Sequence, residues 1–152
     1  MTAIIGDNEI ISSRQFHLPS ERVFEAWTNP DQLARWWGPN GFTNTFHEFD
    51  LRPGGAWRYV MHGPDGVDYP NHCVFEEIVV LERIVLRHLS GHEFLVTAAF
   101  EDLDGGTKVV FRQLFMKTEE FEEAKSYCAE GNEQNLDRLE ASLEQTKGRP
   151  SE

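Results

Sequence analysis

Residues 118–146 read TEEFEEAKSYCAEGNEQNLDRLEASLEQT, and this stretch decides the fold. Its apolar and small residues recur at helical spacing: Phe121, Ala124, Cys128 and Gly131, then Leu136, Leu139 and Leu143. Thr118 reads as an N-cap. Glu119, Glu120, Glu122 and Glu123 place negative charge where the helix dipole favours it. Lys147, Gly148 and Pro150 supply the stop. Such a helix is about 43 Å long, so a large apolar surface must cover one face. The stripe is leucine-rich in its second half and small in its first. A glycine inside a helix costs about 1 kcal/mol relative to alanine. Either another backbone approaches closely at Gly131, or the small side chains leave space for a ligand beneath the helix.

Working back from the helix, the period changes to two. Phe42–Leu51, Ala56–His62, Asn71–Val80, Ile84–Leu89, His92–Glu101 and Thr107–Met116 read as strands. Turn residues separate them, most clearly Gly63-Pro64-Asp65-Gly66 and Asp102-Leu103-Asp104-Gly105-Gly106. Connections this short imply an antiparallel meander. Before it, Met1–Asn8 reads as a flexible lead-in and Glu9–His17 as a strand. Ser20–Trp27 and Gln32–Trp37 read as two short helices, parted by Asn29-Pro30-Asp31. The order predicts an α+β fold: a curved antiparallel sheet of six or seven strands wrapped around the long C-terminal helix. Residues 1–152 form one domain on this reading, with a core from about 9 to 146.

Composition narrows the partners. The 152 residues carry 14 basic and 26 acidic side chains, a net charge of −12. That disfavours nucleic acid and anionic membrane surfaces. No apolar run reaches the roughly 18 residues of a membrane span. The N-terminus shows no basic-then-apolar export pattern. The two cysteines, Cys73 and Cys128, make neither a disulfide framework nor a zinc motif, which favours a reduced cytoplasmic setting.

The inner faces of the strands supply candidate site residues. Trp57, Tyr59, Met61, Phe75, Phe94, Val96, Val109 and Phe111 form an apolar wall; each alone reads first as core, and the small residues Ala124, Cys128 and Gly131 opposite shift the set toward a ligand lining. From the helix, Cys128 and Gly131 border the same space, and Asn135 offers a hydrogen bond. Tyr127 lies off the stripe. Trp36 and Trp37, beside Gly38-Pro39, suit an anchor or a gate at one end. An acidic, apolar setting raises the pKa of Cys128 and makes it inert. His62 and His72, with Asp65 or Asp68, raise the idea of a metal site, and His47, Glu48 and Asp50 raise it more weakly. No recognised ligand spacing supports it. Charged strand residues Arg14, Arg58, Glu76, Glu77 and Arg112 face water unless one turns inward. No nucleophile elbow and no phosphate-binding glycine loop occurs. No cofactor is expected.

Several motifs occur in a familiar order: Ala26-Trp27-Thr28-Asn29-Pro30, Trp36-Trp37-Gly38-Pro39, Arg52-Pro53-Gly54-Gly55 and Leu136-Asp137-Arg138-Leu139. From about Ile10 to Leu143 the chain resembles the START-like, helix-grip (SRPBCC) superfamily. Within it, the chain is similar to bacterial homologues of the C-terminal domain of the activator of heat-shock-protein-ninety ATPase. The resemblance implies a helix-grip fold with a cavity between sheet and helix. It also implies apolar ligands in some members, cyclase or aromatase chemistry in others, and a stress-response context. Many relatives carry Trp directly after the helix glycine. Asn132 stands there in this chain, which would polarise or enlarge the cavity. The first expectation is therefore a non-catalytic protein that binds a small hydrophobic or amphipathic ligand. An enzyme using an inward acid–base group in the same cavity, and a chaperone-like module with a protein partner, are the alternatives. Monomer and homodimer are both compatible.

Overall fold

The structure is a computed structural model that describes residues 3–147. Strands are β1 (Ile4–Ile5), β2 (Glu9–Phe16), β3 (Thr43–Phe49), β4 (Ala56–His62), β5 (Asp68–Val79), β6 (Arg83–His88), β7 (Phe94–Leu103) and β8 (Gly106–Phe115). Helices are α1 (Ser20–Thr28), α2 (Pro30–Trp36) and α3 (Thr118–Lys147). All strands join one antiparallel sheet in the order β1-β2-β8-β7-β6-β5-β4-β3. From β3 to β8 it is the expected meander. The eighth strand, β1, falls in the expected lead-in. It has two residues, both exposed, so no alternation marks it; it pairs with Ile10 and Ile11 through the turn at Gly6–Asn8.

Local chemistry sets the helices. Asn29 caps α2 by accepting from the amides of Asp31 and Gln32, with Pro30 at its first position. α3 begins at Thr118 itself. That makes it the first helical residue and not the expected N-cap before it, and its hydroxyl accepts from the Asn8 side chain at 3.3 Å. The expected stop at Gly148 and Pro150 lies outside the described residues.

Two bulges, near His47 in β3 and Glu76 in β5, shift the register, and such bulges bend and twist a strand locally. The second leaves Glu76 and Glu77 both facing out, where they pair with Arg87 and Arg83. Arg14 reaches across to Glu133, Asp137 and Glu140 on α3. The two ends of α3 are firmly packed. Leu136, Leu139 and Leu143 enter the main core with Trp27, Trp36 and Trp57. Phe121 and Ala124 close a smaller cluster with Ile10 and Phe115. Between these contacts the helix stands off the sheet.

Candidate functional site

The inner face of the sheet can be read as transverse rows. One row crosses six strands: Phe115, Phe94, His88, Cys73, Trp57 and Phe49. Above its middle lies a cavity of about 530 Å³ between the sheet and α3. β4 contributes Tyr59 and Met61, and β5 contributes Tyr69, Asn71 and Cys73. β6 gives Leu86 and His88, β7 gives Phe94 and Val96, and β8 gives Phe111 and Gln113. α3 closes the far side with Tyr127, Cys128, Gly131, Asn132 and Asn135. The loop after α2 forms the rim with Trp37, Gly38, Pro39 and Phe42. Tyr69 and Tyr127 are exposed and mark the mouth.

Gly131 resolves the choice its position posed. A Cβ added there would meet only Cβ of Pro39, at 3.8 Å. No backbone approaches it closely, so its missing side chain leaves room in the cavity.

The rim is tied to one polar edge of α3. Gly38 donates its amide to Asn135 Oδ1 at 3.0 Å, and Asn40 donates to Gln134 Oε1 at 3.1 Å. The Arg138 guanidinium reaches the carbonyls of Arg35, Trp37, Gly38, Pro39 and Phe42 at 2.8 to 3.1 Å. From the other side, Asn44 donates to the carbonyls of Ala34 and Trp37. Gly38 holds φ at +103°, a left-handed geometry that suits glycine.

The walls are apolar with placed hydrogen-bonding groups. Trp37 Nε1 donates to the Tyr59 hydroxyl at 3.1 Å. Burial pushes the Tyr59 phenol up and the Cys73 thiol up to about 12. It pushes Cys128 up to about 11, which makes that thiol inert as expected. Gln113, only 5% exposed, accepts from Asn132 at 3.0 Å. His88 stacks flat on Phe94, with ring centroids 4.4 Å apart, and burial holds its pKa below the ordinary value.

Of the residues expected from sequence, Trp37, Tyr59, Met61, Phe94, Val96, Phe111, Cys128, Gly131 and Asn135 line the cavity. Trp57, Phe75 and Val109 do not. They face inward, but where the sheet is already covered, and they belong to the core. Trp36 is also core; its indole donates to the Ala26 carbonyl. Asn71, Cys73, Leu86, His88 and Gln113 were missed. Strand parity points to them: His88 shares a face with Ile84 and Leu86, and Gln113 with Val109 and Phe111.

His62 does not face His72. It bridges Thr45 Oγ1 at 2.7 Å and Asp68 Oδ1 at 2.8 Å on the opposite face from Met61. None of these three lines the cavity. Among the described residues no group of three or more His, Cys, Asp or Glu could hold a metal ion.

Residues 17–144 match the family described as Activator of Hsp90 ATPase homolog 1-like protein. The chain belongs to this AHSA1 family, within the START-like (SRPBCC) superfamily. Solved structures agree with the fold. A protein from Nitrosomonas europaea is 22% identical, with a TM-score of 0.83 over 96% of this chain and 100% of that one. One from Arthrobacter aurescens is 22% identical, with a TM-score of 0.87 over 95% and 91%. The AHSA1 protein of Silicibacter pomeroyi is 20% identical, with a TM-score of 0.74 over 90% and 98%. No curated protein matches the sequence. In this AHSA1 chain, no helix among the described residues is long and apolar enough to cross a membrane.

Proposed function

We propose that this AHSA1-family protein binds a small hydrophobic or amphipathic molecule between its sheet and α3. The observation that carries the reading is the cavity of about 530 Å³, held open where α3 presents Cys128 and Gly131 between two packed ends. Its size and its aromatic wall with a few polar groups are those of a small-molecule site. Affinity would come from burial, at about 25 cal/mol per Å² of apolar surface. The rim contacts to α3 keep the entrance formed before the ligand arrives, which lowers the ordering cost of binding.

The enzyme reading called for a buried ionisable group without a partner. His88 is the inward candidate; its Nδ1 is paired with the His92 carbonyl at 2.8 Å, and its Nε2 has the Ser90 hydroxyl at 3.4 Å as a donor beside the opposing oxygen of Asn71. The protein-partner reading called for a collapsed interior beneath an exposed apolar patch, and this interior stays open. Both thiols are free, in keeping with a cytoplasmic setting.

Native mass spectrometry on protein purified without detergent tests the proposal. A retained apolar mass is expected, and Gly131→Leu should abolish it while leaving the circular dichroism spectrum intact. A ligand-free mass, together with no thermal shift across a panel of hydrophobic metabolites, would overturn it.

A further inference from the structure

The cavity wall offers hydrogen bonds but no formal charge. Among the described residues that line it there is no Asp, Glu, Lys or Arg. Arg138 directs its donors at the rim carbonyls. Tyr59, Cys73 and Cys128 are kept protonated by burial. His88 is the lining group whose charge would change nearest neutral pH, and burial disfavours its charged form. Two other titratable rings lie near it, His72 and His92, and both oppose a positive charge on His88. Glu123 approaches His92, at 3.9 Å, rather than the cavity wall. An organic anion entering here would lose its water and meet no cation, which is strongly unfavourable. A net charge of −12 adds long-range repulsion.

The contacts of His88 indicate what an uncharged ligand should carry. Its Nδ1 lies 2.8 Å from the His92 carbonyl, which only an N–H can satisfy. Its Nε2 lies 2.7 Å from Asn71 Oδ1, while Asn71 Nδ2 donates to the Tyr69 carbonyl at 2.8 Å. In the neutral ring Nε2 holds a lone pair, and that lone pair then faces an amide oxygen. Turning the Asn71 amide moves the conflict to the Tyr69 carbonyl. Moving the ring proton to Nε2 moves it to the His92 carbonyl. Ser90 Oγ, which accepts the His72 amide at 3.0 Å, lies 3.4 Å from Nε2 and offers that lone pair one long hydrogen bond. The shorter contact, 2.7 Å to Asn71 Oδ1, is still acceptor against acceptor in the neutral ring, and each rearrangement only moves it. A hydroxyl removes the conflict, because it both donates and accepts. It donates to Nε2 in place of the amide's opposing oxygen, and accepts the second N–H of Asn71.

We propose that the cavity selects an uncharged apolar molecule bearing a hydroxyl group, docked at the His88–Asn71 pair, and rejects organic anions of the same shape. This rests on the binding function proposed above.

The test is calorimetric titration at about pH 7.5 with 2-naphthol, naphthalene-2-sulfonate and 2-methylnaphthalene. They share one ring system and differ in the polar group. 2-Naphthol should bind at least about ten-fold more tightly than either of the others. His88→Phe keeps an aromatic ring against Phe94 and should erase the preference, so that this variant binds 2-naphthol and 2-methylnaphthalene alike. Asn71→Ala should narrow the same gap if His88→Phe does not fold. Equal or tighter sulfonate binding, or a naphthol preference that survives both variants, overturns the hydroxyl inference and leaves the binding function standing. Failure of all three probes overturns the hydroxyl inference, and the binding function falls with it only when the mass and thermal-shift tests above are also negative.

Discussion

The amide N–H of Gly38 donates to Oδ1 of Asn135 at 3.0 Å, and both residues are buried. This bond fixes the rim loop to the one helix that walls the cavity. Asn135→Leu keeps the helix but leaves that amide without a partner. The expected loss is about 1–3 kcal/mol, read as a lower urea midpoint with an unchanged m-value. An unaltered midpoint would mean that the rim does not depend on this bond.

Arg138 acts on the same loop through charge-assisted bonds to five carbonyls, and no carboxylate pairs with it among the described residues. Arg138→Met retains most of the apolar stem. It should destabilise the fold by about 2–4 kcal/mol. Amide exchange should rise in residues 37–42 more than in the strands. Uniform acceleration across the sheet would show instead that the loop opens only with global unfolding.

Gly131 separates stability from binding. Gly131→Ala meets no clash and removes a helix-breaking residue, so it should stabilise the fold by up to about 1 kcal/mol. For a chain of this size that is a rise in Tm of about 2–4 °C. Gly131→Leu should keep much of that gain while occupying the ligand space. A large loss of stability in either variant would mean that the glycine is structurally required.

The two thiols predict an alkaline weakness. Burial raises Cys73 from 9.0 to about 12 and Cys128 from 9.0 to about 11. Above pH 9 the unfolded chain loses these protons while the folded chain keeps them, so stability falls as pH rises through that window. The slope approaches about 1.4 kcal/mol per pH unit for each thiol. Cys73→Ala should flatten the fall between about pH 9 and 11, measured by denaturation at successive pH values. Unchanged slopes would assign the alkaline loss to other groups.

The long helix, the meander and its turns were legible because period and punctuation agree along the chain. β1 was not, since two exposed isoleucines carry no alternation. In the cavity, parity told which side of a strand faces in, but not how far along the strand α3 lifts away. Trp57 and Phe75 therefore read like Tyr59, although only Tyr59 borders open space. His88 was hidden by its chemistry: a polar residue at the end of Ile84-Val85-Leu86-Arg87 looks like the end of the apolar face, although it continues it. The rim contacts of Gln134, Asn135 and Arg138 join residues roughly a hundred positions apart, and no local pattern announces them.

All four tryptophans of the chain fall in one chain of rings. Trp36 lies 4.8 Å from Trp27, Trp37 lies 5.7 Å from Trp36, and Trp57 lies 5.3 Å from Trp37. At such separations an excited indole passes its energy to the next faster than it emits. The four therefore behave optically as one chromophore, and one member, Trp37, forms part of the cavity wall. A molecule seated against Trp37 changes the surroundings of one ring in this set, so the protein's own fluorescence is an unlabelled place to look for occupancy.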